Sequence, residues 1–404
     1  MPNGTSTVPD PEPDPDPAPA PAPASGVPGD REPTAAQPLP VAFESLGRWP
    51  GVLSRLIEGG SLSADEAEVV LGEVLSGEAS PAQIAGLAVA LRSKGETVEE
   101  MTGFVRAMVS HAVPLPLPGD VRVVDTCGTG GDRLRSINVS TIAALVVAAT
   151  GAKVCKHGGR ASSSAVGAAD VLEALGVVAD LGPVGVARCI DEVGMGFCFA
   201  PRFHPAMRFA GPVRRELGVP TVFNFLGPLA NPGRARYQVV GVSDRSMADK
   251  MLGVLAANGA ERAMIVFGDD GLDELSTTGP STVHELRRNQ TSSGTEYETT
   301  VFRVDPAELG LAPATLDALR GGDATVNAEA IRRVVAGDAS PHRDIAVLNA
   351  AASLVVVGTV PDFPAGVALA GEVIDDGRAA EVLESLIRVS VEERAAEEER
   401  ATGA

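Results

Sequence analysis

Positive charge is scarce in this chain of 404 residues: Lys and Arg number 33 against 53 Asp and Glu, a formal net charge of −20. A polyanion such as nucleic acid is thereby excluded as a partner for the molecule as a whole, because a counterion-release footprint needs clustered cations. A local basic pocket for a small phosphate ester is compatible with the acidity. Cysteine is rare too. Cys127, Cys155, Cys189 and Cys198 show no paired metal spacing, and they read as reduced, structural thiols of a cytosolic protein. No apolar run spans a bilayer length without charge or glycine, and the start lacks a basic, then apolar, signal pattern. These absences lead to the expectation of a soluble, cytoplasmic protein with no membrane association, of two to three domains at this length.

What is present is concentrated between Val121 and Gly167. Val121–Val124 reads as a buried strand ending at a turn that holds Gly128, Gly130 and Gly131. Ser140 is placed as the N-cap of a helix over Thr141–Ala149. A second short strand, Ala152–Cys155, then delivers a loop that starts at Lys156. With the usual right-handed crossover the two strands are parallel, and both loops leave from their carboxyl ends, where open α/β sheets put ligands. The glycines can expose successive backbone N–H groups as an anion cradle beside the positive end of the helix; taken alone, they equally mark a tight turn. Lys156 and Arg160 add full charges to the same space. The combination points to a phosphorylated ligand.

The rest of the chain divides around this unit. Residues 1–44 are rich in Pro, Ala and Asp, too poor in apolar surface to offset ordering entropy, and read as a disordered, polyproline-like tail. Residues 45–116 have helical periodicity. Helix starts are marked by the capping box Ser63-Ala-Asp-Glu66, by Ser80-Pro81 and by Thr97, and the apolar faces need either the later domain or another copy of the chain. Residues 117–390 form the larger unit. Within it Val219–Leu229 reads as a turn-rich loop, and Ala263–Phe267 as a core strand that carries Gly268-Asp-Asp-Gly-Leu-Asp-Glu274 at its carboxyl end. Four carboxylates in that turn are either a solvated acidic surface or an oxygen-rich seat for Mg²⁺ beside a phosphate; the strand-end position favours the seat. Gly321-Gly-Asp-Ala-Thr-Val-Asn327 follows, and residues 391–404 are a charged tail.

Asp125-Thr-Cys-Gly-Thr-Gly-Gly-Asp132, Asn138-Val-Ser-Thr141, Lys156-His-Gly-Gly-Arg160, Ala168-Ala-Asp-Val-Leu-Glu-Ala-Leu-Gly176, Asn224-Phe-Leu-Gly-Pro-Leu-Ala-Asn-Pro232 and Gly271-Leu-Asp-Glu274 together resemble the anthranilate phosphoribosyltransferases of tryptophan biosynthesis, from about Trp49 to Ile387. The resemblance implies an α/β protein. A small all-helical subdomain, joined by a helical segment near 205–232, would stand beside a larger domain with a central, mostly parallel sheet, the architecture of the nucleoside-phosphorylase-like phosphoribosyltransferases. It further implies a homodimer formed through the helices, 5-phosphoribosyl 1-diphosphate as donor, anthranilate as acceptor, and Mg²⁺ as cofactor. Donor contacts would come from Gly128, Gly131, Asp132, Ser136, Asn138, Val139, Ser140, Thr141, Lys156, His157, Gly158, Gly159, Arg160, Ala161, Ser162, Ser163, Ser164 and Ala168. Gly128, Gly159 and Arg214 would meet anthranilate, and Ser140, Asp273 and Glu274 the magnesium. Lys156 and His157 are the candidates for a catalytic part, His157 either taking the departing proton or only holding its neighbours.

Two positions depart from the family pattern, which usually has Asn where this chain has Gly159 and commonly Ser where it has Ala168. Arg133 and Arg135, in the stretch before Asn138, either meet phosphate or are solvated. Pyrimidine nucleoside phosphorylases share the architecture, but Asp125-Thr-Cys stands here where they have Lys-x-Ser before the glycines. A non-catalytic, nucleic-acid-binding relative would need a basic face and would tolerate loss of Asp273 and Glu274, which this chain keeps. The same transfer to a ring-substituted anthranilate in a specialised pathway is a further alternative.

Overall fold

Side chains alternate faces along a strand, and in the computed structural model this alternation divides one sheet between two cores. Val239, Met264 and Val266 face the first; Val240, Ile265 and Phe267, their strand neighbours, face the second. The structure describes residues 41–119, 121–131, 134–161, 166–291 and 294–403. The expected Pro-rich tail, as far as residue 40, lies outside them.

Four helices come first: α1 (Arg48–Ile57), α2 (Ala64–Leu75), α3 (Pro81–Lys94) and α4 (Val98–Ser110). Ser63, Ser80 and Thr97 each accept a backbone N–H three residues on, and Glu66, Gln83 and Glu100 reciprocate, so three of the four starts are capping boxes. The α/β part then runs β1 (Val123–Gly128), α5 (Val139–Ala149), β2 (Lys153–Gly158), α6 (Ala168–Leu175), α7 (Pro183–Val193), β3 (Met195–Phe199), three short helices α8 (Ala200–Phe203), α9 (Gly211–Leu217) and α10 (Phe223–Leu229), β4 (Tyr237–Gly241), α11 (Ala248–Ala257) and β5 (Arg262–Gly268). A hairpin of β6 (Ser281–Thr291) and β7 (Gly294–Val304) and helices α12 (Ala324–Val335), α13 (Pro341–Val357), α14 (Phe363–Asp375) and α15 (Arg378–Thr402) complete it.

The sheet order is β3-β2-β1-β4-β5-β6-β7. β1 to β5 are parallel, and the β6–β7 hairpin is antiparallel. Helices α5 to α7 and α12 to α15 cover one face; α1 to α4 share the second core with α9, α10, α11 and the other face. The apolar sides of the helical unit are thus covered largely by the later domain. No helix among the described residues is long and apolar enough to cross a membrane.

Several element boundaries differ from the sequence reading. β1 and β2 continue through Asp125 and Lys156, because those buried polar groups find hydrogen-bond partners in the interior, Asp125 in His157 N and Asn231 and Lys156 in Thr126 O and Ser140, and need not end a strand. Helix α5 begins at Val139, with Asn138 rather than Ser140 at the cap position and no side-chain cap bond. Phe223–Leu229 is helical, not a loop: Phe223, Phe225, Leu226 and Leu229 are buried, and Pro228 falls in the last turn. Residues 391–402 are the end of α15 rather than a separate tail. There Glu393 pairs with Arg188, Arg394 with Asp180, and the Gly182 N–H donates to Glu397 at 2.6 Å.

Candidate active site

Strand order reverses direction between β1 and β4, and in an open α/β sheet the crevice at such a switch point, beyond the carboxyl ends, is where ligands bind. Both strands end in glycine there, with Gly128 paired to Gly241. The reason is the acidic turn, which lies across them. A Cβ on Gly128 would stand 2.5 Å from Asp273 Oδ2, and one on Gly241 would overlap the Asp273 carbonyl. The Gly130 N–H donates to Asp273 Oδ2 at 2.7 Å. Gly130 and Gly131 have φ of 66° and 91°, a region open to glycine without a Cβ penalty. The glycine turn and the acidic turn are therefore one structure. Asn349 of α13, 1% exposed, fixes its far side by accepting from Leu275 N (3.0 Å) and donating to Leu275 O (2.8 Å).

The four carboxylates divide by task. Asp270 accepts from Ser276 Oγ and Thr278 Oγ1, both at 2.6 Å, and Asp269 pairs with Arg303, so these two hold the turn together. Asp273 lies against the glycine end, and the charge of Glu274 is felt by Cys127 and Lys156 beneath it. No cluster of three His, Cys, Asp or Glu suited to a metal exists among the described residues. Mg²⁺ that keeps its waters and takes substrate phosphate oxygens needs only one or two carboxylates.

Lys156 stands on β2, not in a loop, and is 1% exposed. Its ammonium donates to Thr126 O at 2.6 Å and to Ser140 Oγ, in the first turn of α5, at 3.1 Å. Asp125, wholly buried, accepts from His157 N (3.1 Å) and Asn231 Nδ2 (2.8 Å). Burial pushes the lysine pKa down and the aspartate pKa up, and their mutual attraction opposes both shifts. A buried cation thus sits directly under the helix start and the glycine turn.

Two family models match the chain: "Glycosyl transferase family, helical bundle domain" over residues 50–112 and "Glycosyl transferase family, a/b domain" over residues 120–380. The chain is 51% identical over 348 residues to the anthranilate phosphoribosyltransferase of Arthrobacter sp. (strain FB24), covering 85% of this chain and 96% of that one. It belongs to the anthranilate phosphoribosyltransferase family. The Salinispora arenicola (strain CNS-205) member is 50% identical over 85% of this chain and 96% of its own. Among solved structures, the Thermus thermophilus enzyme superposes with a TM-score of 0.77 at 42% identity, over 84% of this chain and 98% of that one. The Saccharomyces cerevisiae enzyme in complex with PRPP and Mg gives 0.77 at 27% identity, over 87% and 100%.

The positions of the anthranilate phosphoribosyltransferase pattern do not all share one task. Gly128, Gly131, Ser140 and Lys156 gather at the switch point. Ser136, Asn138 and Ala161 are engaged elsewhere in the fold, whereas Gly158 ends β2 against Ala168 and Gly159 follows it with open space on its Cβ side. Ser136 forms a backbone bridge to Arg320, Asn138 spends its amide on Val166 O and Asn327, and Ala161 N donates to Asp170 Oδ2 at 3.0 Å. Val139 and Thr141 are buried side chains, able to present only backbone to a ligand. Arg160 does not aim its charge at the crevice, since Asp170 and Glu173 of α6 hold the guanidinium at 3.0 and 2.7 Å. Asp132, Arg133 and Ser162, Ser163 and Ser164 lie outside the described residues. Arg135 has φ of 56°, and its carbonyl accepts from Gly321 N. Arg214 is partly buried on α9, 5.8 Å over the Phe223 ring, with no ion pair among the described residues. Asn349 and His204 support the site without any local sequence signal, and Asn231, inside the Asn224–Pro232 motif, does so through Asp125 and the Cys155 carbonyl.

His157 Nδ1 lies 3.1 Å from Gly227 O and its ring 5.1 Å from that of His204, while Nε2 is buried without a partner. Burial, with His204 adding to it, pushes its pKa from 6.5 down to about 3. The ring is neutral at physiological pH, with Nδ1–H donating and Nε2 bearing a lone pair. The sign of the linkage follows. Between pH 6.5 and about 3 the unfolded chain takes a proton that the folded chain refuses, so stability falls as pH falls through this window. The expected result is a urea midpoint that drops below pH 6.5, with a shallower drop in His157→Asn; an unchanged slope in that variant contradicts the assignment.

Proposed function

We propose that the chain transfers the 5-phosphoribosyl group of 5-phosphoribosyl 1-diphosphate to the amine of anthranilate, releasing diphosphate, the second step from chorismate to tryptophan. The observation that carries this reading is the joining of the glycine turn to Asp273 at the switch point, in a chain about half identical to enzymes of this name over most of their length. In the reaction the anomeric C–O bond breaks, the C–N bond forms and the amine loses a proton. Negative charge grows on the diphosphate and positive charge on the ribose.

The residues present suit each part. Backbone N–H groups of the Gly128–Gly131 turn and the start of α5 receive the phosphates, and Lys156 supplies positive potential from beneath. Donation from Lys156 to Ser140 Oγ directs the hydroxyl's remaining lone pair outward. Ser140, Asp273 and Glu274 offer the hard oxygen donors that Mg²⁺ takes, in a seat that a side chain at Gly128 would fill. Bound there, the cation neutralises charge on the leaving diphosphate. Arg214 orients anthranilate through its carboxylate, with Gly128 and Gly159 beside the ring, so no protein nucleophile is required. His157 acts as a positioning residue. A ring of such low pKa stays neutral as it holds Gly227 and His204 in place.

Gly159 favours a second reading in which the acceptor carries a ring substituent. A Cβ there would meet nothing within 4 Å, and its φ is outside the left-handed region. The Saccharomyces cerevisiae enzyme has been solved in complex with 4-fluoroanthranilate. Gly159→Asn folds without strain and adds an amide worth ~0.5–1.5 kcal/mol. Its expected effect is an anthranilate KM lower by up to about tenfold with the donor KM unchanged; a selective loss of substituted acceptors favours the second reading instead. If neither constant moves, residue 159 does not meet the acceptor.

The chain is further inferred to be cytoplasmic and to form a homodimer through its helices. Exposed Ile57, Val89 and Val219, and a 240 Å³ groove between Pro81, Ala82 and Ala85 of α3 and Val213 and Leu217 of α9, supply an apolar surface there. Analytical ultracentrifugation should give twice the chain mass; a monomer at micromolar concentration overturns the dimer. The function itself is tested by ³¹P NMR of the purified chain with Mg²⁺, donor and a panel of acceptors. Diphosphate should form one for one with donor loss when anthranilate is present. Phosphorolysis of a pyrimidine nucleoside, or no donor consumption, overturns the reading.

A further inference from the structure

Gly321, Gly322 and Asn327 stand outside the residues assigned above to donor, acceptor and cation. Asn327 lies in the first turn of α12 and is 2% exposed. Its Oδ1 accepts from Gly322 N at 2.7 Å, and its Nδ2 donates to Asn138 Oδ1 at 3.0 Å. A Cβ on Gly321 would stand 2.5 Å from that Oδ1, so glycine there is what lets the amide lie against the turn. Asn138 passes the link on by donating its Nδ2 to Val166 O at 3.1 Å. The backbones of the first two segments are also joined. Ile137 N donates to Leu319 O (3.0 Å), Gly321 N donates to Arg135 O (2.9 Å), and Ser136 and Arg320 form an antiparallel bridge.

Asn138 therefore stands at the cap position of α5 yet caps nothing, its amide being committed sideways at both ends. Two amides tie three places in the chain together: 319–322, 134–138 and Val166, just ahead of α6. We propose that Asn327 is a positioning residue for the phosphoribosyl donor, fixing through Asn138 the spacing between the start of α5 and the Val166 segment. This rests on the donor site assigned above to the switch-point crevice. The polarity of the link is single-valued. In Asn327→Asp the new carboxylate still accepts from Gly322 N but meets Asn138 Oδ1 with a second oxygen. If the Asn138 amide flips to relieve this, its oxygen faces Val166 O, so the tie to that segment is lost either way.

Steady-state kinetics of Asn327→Asp, Asn327→Ala, Asn138→Ala and the double Ala variant of the full chain test the link. The expected result is a donor KM raised about tenfold in both Asn327 variants, an anthranilate KM within twofold of the parent, and a double variant no worse for donor than Asn138→Ala alone. Should Asn327→Ala be insoluble, Asn327→Ser, which keeps an acceptor for Gly322 N, takes its place. The proposal is overturned by an unchanged donor KM, by effects that multiply in the double variant, or by both KM values rising together with a fall in thermal midpoint. Absence of donor-dependent turnover in the unmutated chain defeats the donor-site reading rather than this link.

Discussion

Replacing Asp273 by Asn together with Glu274 by Gln is expected to lower magnesium-dependent turnover by about two to three orders of magnitude, the scale on which preorganised charge stabilisation acts. The substitutions keep size while removing two anionic oxygen donors from the seat against Gly128. Asn at 273 retains a carbonyl for the Gly130 N–H, and the turn keeps its anchors at Asp270, Asn349 and Arg303. Folding should therefore survive, with a circular dichroism spectrum and thermal midpoint close to the parent. Turnover that still rises with added magnesium as in the parent would show that these carboxylates do not serve the cation.

The second large effect is expected at Lys156, and it combines stability with function. Lys156→Met keeps the aliphatic volume of a wholly buried side chain but leaves the Thr126 carbonyl without its donor and removes the positive charge whose field favours the buried Asp125 carboxylate. Leaving a buried hydrogen-bonding group unsatisfied costs about 1–3 kcal/mol, and Ser140 also loses the donor that orients it. Urea unfolding should register that loss. Since part of the penalty is the lost attraction between the two buried charges, adding Asp125→Asn should recover part of it. A double variant no more stable than Lys156→Met alone would mean that the two groups are not coupled.

How far the site could be read from the sequence depended on how local its causes are. The starts of α2, α3 and α4 were legible because Ser63, Ser80 and Thr97 cap groups only three residues away. The glycine turn and the acidic turn were each legible as strand-end features. That they are one structure was not, since Gly241 marks itself only by the backbone that crosses it. The ends of β1 and β2 were missed because Asp125 and Lys156 look like loop residues until Asn231 and the His157 N–H are seen to hold the first in the interior and Thr126 O and Ser140 the second. Arg160 has the residue type of a phosphate ligand, yet Asp170 and Glu173 on the next helix claim it. Asn349, acting across 74 residues, leaves no periodic or motif signal, and although Asn231 and Asn327 fall in stretches that stand out in the sequence, their partners 76 and 189 residues away do not.

Transfer to anthranilate is followed directly by the fluorescence of anthranilate incubated with the purified chain, with and without donor and with magnesium either supplied or chelated. Loss of fluorescence is expected only when donor and magnesium are both present, in proportion to the diphosphate released. Anthranilate left unconsumed under those conditions by folded protein, or consumed at the same rate without donor, would contradict the assignment of the switch-point crevice to phosphoribosyl transfer.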